Sequence, residues 1–357
     1  MKLIKILLIN LIVFLVGFLF LELSLRSFLT LKHYSNPYSS YWGKTWFRYN
    51  PINYISFDKE LKFKPIPNTE LKDVDLPRWE KNSNITINDL GFRDNRNNQK
   101  IINDKRILTI GDSFTFGSQV TDRNTWQSCL ERAINQKIDN AGVPGYSAGQ
   151  AVKRGLIESK KRNYSHIIWS IYFRDFRRDI TEKILFKKDD KIYFSNFIND
   201  SIKDQSSFSQ KIFFITKEYF FTIYYIDEKI LNLKFKKSKN IDKKINKTEN
   251  ETLIEFVKYL VDFFNEIPIE KKIILFQYGH IKKNDNSNNN PEVYEIKILK
   301  DMILKLSQDK NIQIIDTIKA IDKYDEKNKK LLWFDHHTNK GNKMVCDLLS
   351  KNLKLID

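Results

Sequence analysis

Only two of the 357 residues are cysteine. Cys129 and Cys346 each fall inside an amphipathic helical pattern, where cysteine usually serves as a small buried hydrophobe, and neither has the spacing of a metal ligand. Neither a metal site nor a disulfide framework is expected, even if the chain is exported. No clustered nucleic-acid-binding motif accompanies the formal charge of +17, so nucleic acid is not an expected partner. The charge favours anionic surfaces such as lipid headgroups or acidic polysaccharide, and it also reflects a heavy use of Lys, Asn and Ile throughout. The composition is that of a globular chain rather than a disordered one: 41% hydrophobic and 29% charged residues, with 26 Phe, 16 Tyr and 6 Trp, can support a sizeable core.

Charge is absent from one long stretch. Ile6 to Leu21 carries no charged side chain, and with Leu3, Ile4 and Leu23 to Leu25 the apolar run approaches the roughly 20 residues needed to span a bilayer. No Ala-x-Ala-like cleavage site follows it, so an uncleaved anchor is favoured over a signal peptide. Lys2, Lys5 and the amino terminus precede the run, which favours a cytoplasmic N-terminus and an extracytoplasmic domain on a single-pass anchor.

Beyond the anchor, Leu31 to Ile87 is rich in Tyr, Trp, Pro and Asn without a sustained period, and reads as a stalk packing over the domain with a few short strands. After it, strand and helix patterns alternate. Apolar runs ending at Ile110, beginning at Ile138, and covering Ser165 to Phe173, Lys272 to Tyr278 and Ile312 to Asp316 read as strands. Helical periods cover Asn124 to Gln136, Ala148 to Ser159, Glu251 to Glu266, Pro291 to Ser307 and Asn339 to Leu353. This alternation predicts an α/β fold with a parallel five-stranded sheet and helices on both faces. The expected division is an anchor over 1–30, a stalk or extension over 31–100, and a domain over 101–357 with an insertion at about 176–250, plausible as a lid or membrane-facing element.

The first of these strands runs into Gly111-Asp112-Ser113. A strand ending so delivers a hydroxyl to the C-terminal edge of the sheet, where open α/β folds place their ligand crevice. Gly111 gives the turn freedom from Cβ, and Asp112 can accept hydrogen bonds from the turn's own backbone. A hydroxyl nucleophile needs a base, and Asp335-His336-His337 supplies two imidazoles just before the last helix.

The Ile107 to Gly117 stretch resembles the first block of the SGNH (GDSL-type) hydrolases, and the resemblance extends from Asn88 to Leu353. Asn88-x-x-Gly-Phe-Arg93 looks like a stretch that often precedes the Gly-Asp-Ser strand in membrane-anchored members. The resemblance implies a flavodoxin-like three-layer sandwich and a serine esterase or acyltransferase without cofactor or metal. The implied substrates are O-acyl esters of surface glycans or lipids, with O-acetyl the first expectation. It assigns Ser113 as nucleophile, Asp335 as orienting acid, and the amides of Ser113 and Gly145 to the oxyanion hole.

Two points stay open. Counted back from Gly341 the base is His336; counted forward from Asp335 it is His337, favoured because residues two apart in an extended loop face the same way. At the third block the family has Gly-x-Asn-Asp, whereas this chain reads Tyr172-Phe173-Arg174-Asp175. Arg174 then either supplies a charged oxyanion donor or marks a catalytically silent protein that binds or helps assemble envelope polysaccharide.

Overall fold

The structure, a computed structural model, describes residues 2–34, 54–74, 83–97, 103–197, 247–277, 291–334 and 336–353. Residues 51–199 and 247–357 form one compact unit. Helix α1 (Lys2–Tyr34) belongs to the other unit. Its segment Ile4–Leu25, with mean hydropathy 2.8, is long and apolar enough to cross a membrane.

Two antiparallel pairs begin the compact unit, β1 (Ile55–Asp58) with β2 (Lys62–Pro65) and β3 (Thr69–Val74) with β4 (Ser83–Ile87). Then come β5 (Asn103–Ile110), the short α2 (Ser113–Phe116), α3 (Trp126–Ile134), β6 (Gln136–Asn140), α4 (Ala148–Ser159) and β7 (Tyr164–Ile171). Helix α5 (Asp175–Thr181) and the hairpin β8 (Leu185–Lys188) and β9 (Lys191–Phe194) precede α6 (Lys247–Asn265) and β10 (Lys271–Phe276). The chain continues through α7 (Pro291–Gln308), β11 (Gln313–Asp316), α8 (Thr317–Ile321), α9 (Glu326–Leu332), β12 (Trp333–Phe334), β13 (His336–His337) and α10 (Asn339–Leu353).

Five strands form one parallel sheet in the order β11-β10-β7-β5-β6, the flavodoxin-like arrangement. Strand residues alternate between two apolar layers, as a sheet covered on both faces requires. Leu108, Ile110, Ile167, Trp169, Ile274 and Phe276 pack with α4, α6 and α7. Ile107, Ile168, Ile273, Leu275 and Ile315 pack with α3 and α10. The order reverses between β5 and its neighbours β6 and β7, which opens a crevice at the C-terminal end of β5.

Local signals account for the helix starts. Ser147 and Gln150 form a capping box on α4. Helix α3 is capped by the Thr125 hydroxyl, which accepts from Ser128 N at 3.1 Å. Helices α8 and α9 add two short elements that the hydropathy pattern does not reveal. The later part of the expected insertion, 198–246, lies outside the described residues.

One expectation is overturned. Cys129 on α3 and Cys346 on α10 are joined in a disulfide, with Cα atoms 5.9 Å apart. Each cysteine lies on the apolar face of its helix, as the pattern implied. Those two faces pack against each other in one core layer, so the thiols meet across 217 residues of sequence.

Candidate active site

Ser113 opens α2 directly after β5, at the point where the sheet order reverses. Gly111 has φ +155, and a Cβ there would lie 2.7 Å from the Ser170 carbonyl oxygen and collide with the Thr115 hydroxyl. Asp112 is buried and caps the turn: its Oδ1 accepts from Phe114 N at 3.0 Å, and Ser113 Oγ lies 3.3 Å from its Oδ2. On the far side of the turn, Arg93 is fully buried over the Phe116 ring at 4.8 Å. Its Nε donates to Asp122 Oδ1 at 2.6 Å and its Nη2 to the Val120 carbonyl at 2.8 Å. The Asn88 to Arg93 stretch thus braces the chain that follows the nucleophile turn.

The C-terminal histidines separate into two environments. His336 Nε2 lies 2.6 Å from Ser113 Oγ. His337 is buried, and its carbonyl accepts from Asn342 Nδ2 at 3.2 Å. The pairing of Trp333 with His337 and of Phe334 with His336 holds the strand they share. The Phe114 ring sits among them, its centroid 4.8 Å from that of His336, 5.0 Å from that of His337 and 4.9 Å from that of Tyr172.

Helix α10 sets the register. Thr338 accepts from Gly341 N at 3.2 Å and donates to the Leu331 carbonyl at 2.6 Å. Gly341 packs so closely under the Leu332 carbonyl that any Cβ would collide with it. Counting back from Gly341 leads to His336, the imidazole that lies against Ser113 Oγ. Asp335 lies outside the described residues.

The loop after β6 passes beside the nucleophile turn: Val143 N donates to the Gly111 carbonyl at 3.1 Å, and a Cβ on Gly142 would lie 2.5 Å from Phe116 N. Gly145 follows with φ +85, half-buried. The next residue, Tyr146, donates its hydroxyl to the Phe63 carbonyl at 2.7 Å. Arg174 stands exposed at the N-cap of α5.

Beneath this site lie buried acids and, beside them, Arg178, a cation to which the sequence reading gave no role. Asp175 and Asp179 are buried on α5, Asp175 close enough to Asp112 to feel its charge. Burial pushes the Asp175 carboxyl well above the usual range, with the Asp112 charge adding to it. Asp112 is also raised by burial, against the opposing pull of His336. Asp179 is pushed up to about 7, again by burial, although it accepts from Gly149 N at 3.1 Å. Arg178 Nη1 donates to Asp175 Oδ1 at 2.8 Å and to the Tyr146 carbonyl at 3.0 Å. The Asp175/Arg178 spacing of three along a helix is the signal that identifies this pair in sequence. Among the described residues no group of three His, Cys, Asp or Glu side chains could hold a metal ion.

No protein-family model matches the sequence, and no curated protein matches it. Several solved structures resemble it at low identity. A lipolytic protein of the G-D-S-L family from Desulfitobacterium hafniense is 15% identical, with 69% of this chain and 98% of that one covered at a TM-score of 0.39. For the lipase/acylhydrolase from Enterococcus faecalis the values are 14%, 70%, 95% and 0.40. For an acetylxylan esterase from Geobacillus stearothermophilus they are 12%, 71%, 95% and 0.39.

Proposed function

We propose that this chain is a membrane-anchored serine hydrolase or acyltransferase of the SGNH type, acting on O-acyl esters of surface glycans or lipids. The observation that carries the reading is the 2.6 Å contact between His336 Nε2 and Ser113 Oγ at the switch point of the sheet. His336 removes the Ser113 proton as Oγ attacks the ester carbonyl carbon. The resulting oxyanion is taken by the backbone N–H groups of Ser113 and Gly145. Collapse of the intermediate breaks the ester C–O bond, and the departing alkoxide takes the proton from His336. Water, or an acceptor hydroxyl in transfer, then repeats the steps on the acyl-serine. Asp335 orients the imidazole, and His337 serves the loop rather than the proton transfer.

The disulfide supports an extracytoplasmic domain, since such bonds persist in oxidising compartments. Residues 1–30 serve as the anchor, 31–100 as the extension and 101–357 as the catalytic domain, with an insertion at about 176–250. The test is hydrolysis of a chromogenic acetate ester by the detergent-solubilised chain, with Ser113→Ala as control. Turnover lost in Ser113→Ala is expected; unchanged turnover refutes the assignment.

Arg174, where the resembling family has Asn, supports a second reading as a silent polysaccharide-binding protein. If Arg174 is a working oxyanion donor, Arg174→Ala lowers turnover by about 10²- to 10³-fold. If it blocks the hole, an inactive parent gains activity in Arg174→Asn.

A further inference from the structure

In the proposed reaction the oxyanion is taken in part by the backbone N–H of Gly145, in the loop after β6. A glycine at φ +85 has no side chain by which it can be held, so its neighbours set its position. Those neighbours are tied to the hairpin of β1 and β2, a part of the chain to which the reaction gives no role. The Tyr146 hydroxyl donates to the Phe63 carbonyl at 2.7 Å, and the two ring centroids lie 5.2 Å apart. Gln150 Nε2 donates to the Leu61 carbonyl at 2.6 Å, while its Oε1 accepts from Ser147 N at 2.9 Å. Leu61, Val143 and Tyr146 form one buried apolar cluster, with Phe63 packed against it.

Phe63 also reaches the glycine. Its Cζ lies 3.7 Å from where a Cβ on Gly145 would stand, an ordinary van der Waals distance. On α5, Arg178 Nη1 donates to the Tyr146 carbonyl at 3.0 Å, so Tyr146 is bonded through both its backbone and its hydroxyl. The hairpin and the end of α5 are joined by the ion pair of Lys62 with Glu182 at 2.8 Å. That pair is half-exposed and contributes little. The grip of the hairpin on the loop therefore lies with Tyr146, Gln150 and Leu61, all of them buried.

We propose that Tyr146 and Phe63 are positioning residues through which the β1–β2 hairpin holds the Gly145 amide in place for the oxyanion, so that the N-terminal extension is part of the reaction site. The ring of Phe63 supports the glycine, and the Tyr146 hydroxyl ties the next residue to the strand that carries that ring. Loss of either lets the loop relax, and a displacement of about 1 Å in a reacting geometry costs on the order of 10²-fold in rate. The effect falls on kcat, because the donor acts on charge that develops only in the transition state. The catalytic part of this inference rests on the hydrolase reading; the grip of the hairpin on the loop does not.

The experiment combines backbone hydrogen exchange, read by mass spectrometry on peptides covering 141–149, with kcat and KM on a chromogenic acetate ester. It uses the detergent-solubilised full chain and its Phe63→Ala, Phe63→Tyr and Tyr146→Phe variants. In Phe63→Ala and Tyr146→Phe the loop should exchange at least about threefold faster, with the β5 and β10 peptides unchanged. Their kcat should fall by about tenfold or more in Phe63→Ala and by about 3- to 10-fold in Tyr146→Phe, with KM within about twofold. Phe63→Tyr keeps the ring and should stay within about twofold of the parent in both measurements. A ring that only stabilised the fold would lower the melting temperature and speed exchange in the sheet as well, leaving kcat per folded molecule unchanged.

Loop exchange equal to that of the parent in both variants overturns the proposal, whether or not the protein turns over the ester. Faster loop exchange with an unchanged kcat, or a raised KM with kcat intact, overturns the positioning role. If the parent shows no turnover, the hydrolase reading fails, and the exchange rates alone decide whether the hairpin holds the loop. Should Phe63→Ala not fold, Tyr146→Phe decides by itself, since it removes one hydroxyl and keeps both rings.

Discussion

Replacing both cysteines, Cys129→Ala with Cys346→Ala, removes the bond between the helix that follows the nucleophile segment and the helix that follows the histidines. The cross-link closes a separation of 217 residues, for which the chain-entropy relation predicts about 5 kcal/mol of stabilisation. That is the upper end of what disulfides deliver, so a loss of about 3 to 5 kcal/mol is expected. For a compact unit of this size it lowers the melting temperature by on the order of 10 °C. Non-covalent ties remain, including Trp126 N to Asn342 Oδ1 at 3.1 Å, so the variant still folds and its turnover falls less than its stability. The assay is urea unfolding of the parent with and without reductant beside the double variant, with thiol titration of the protein as isolated. Two freely reactive thiols, or the same midpoint in all three samples, would refute the cross-link.

Three further outcomes follow from the site. His336→Ala should lower ester turnover by at least about 10³-fold, whereas His337→Ala, with fold confirmed by circular dichroism, should cost less than about tenfold; equal losses would put the base assignment in error. Gly341→Ala forces α10 away from the Leu332 carbonyl, an overpacking cost of about 1 to 3 kcal/mol read by urea unfolding, with turnover falling as the His336 loop shifts; an unchanged unfolding midpoint would contradict the close approach. Asp179 has a folded value of about 7 against an ordinary 3.8, so its protonated form stabilises the fold fully below the unfolded value and that contribution is lost as pH rises through about 7. The stability of Asp179→Asn relative to the parent should therefore rise by roughly 2 to 3 kcal/mol between pH 5 and pH 8, and a difference independent of pH would exclude a buried neutral acid there.

What could be determined from the sequence alone was what depends on neighbours along the chain. Continuous apolar runs of strand length, bounded by turns, mark Ile107 to Ile110 and Ile273 to Phe276 as strands buried on both faces, and the five apolar runs all lie in the sheet. The capping box at Ser147, and the need for glycine where β5 turns into Ser113, are equally local. The tertiary structure decided everything that depends on which faces meet. Helical patterns put Cys129 and Cys346 on the apolar faces of their helices but do not show that α3 and α10 pack those faces against each other. The parity of Asp335 and His337 treats the loop as free, whereas the contact of Gly341 with Leu332 fixes its register and brings His336 to Ser113. The spacing of Asp175 and Arg178 along α5 can be read from the sequence, but that Arg178 also holds the Tyr146 carbonyl at 3.0 Å depends on how α5 packs on the loop after β6, and such a meeting of distant segments leaves no period in the sequence.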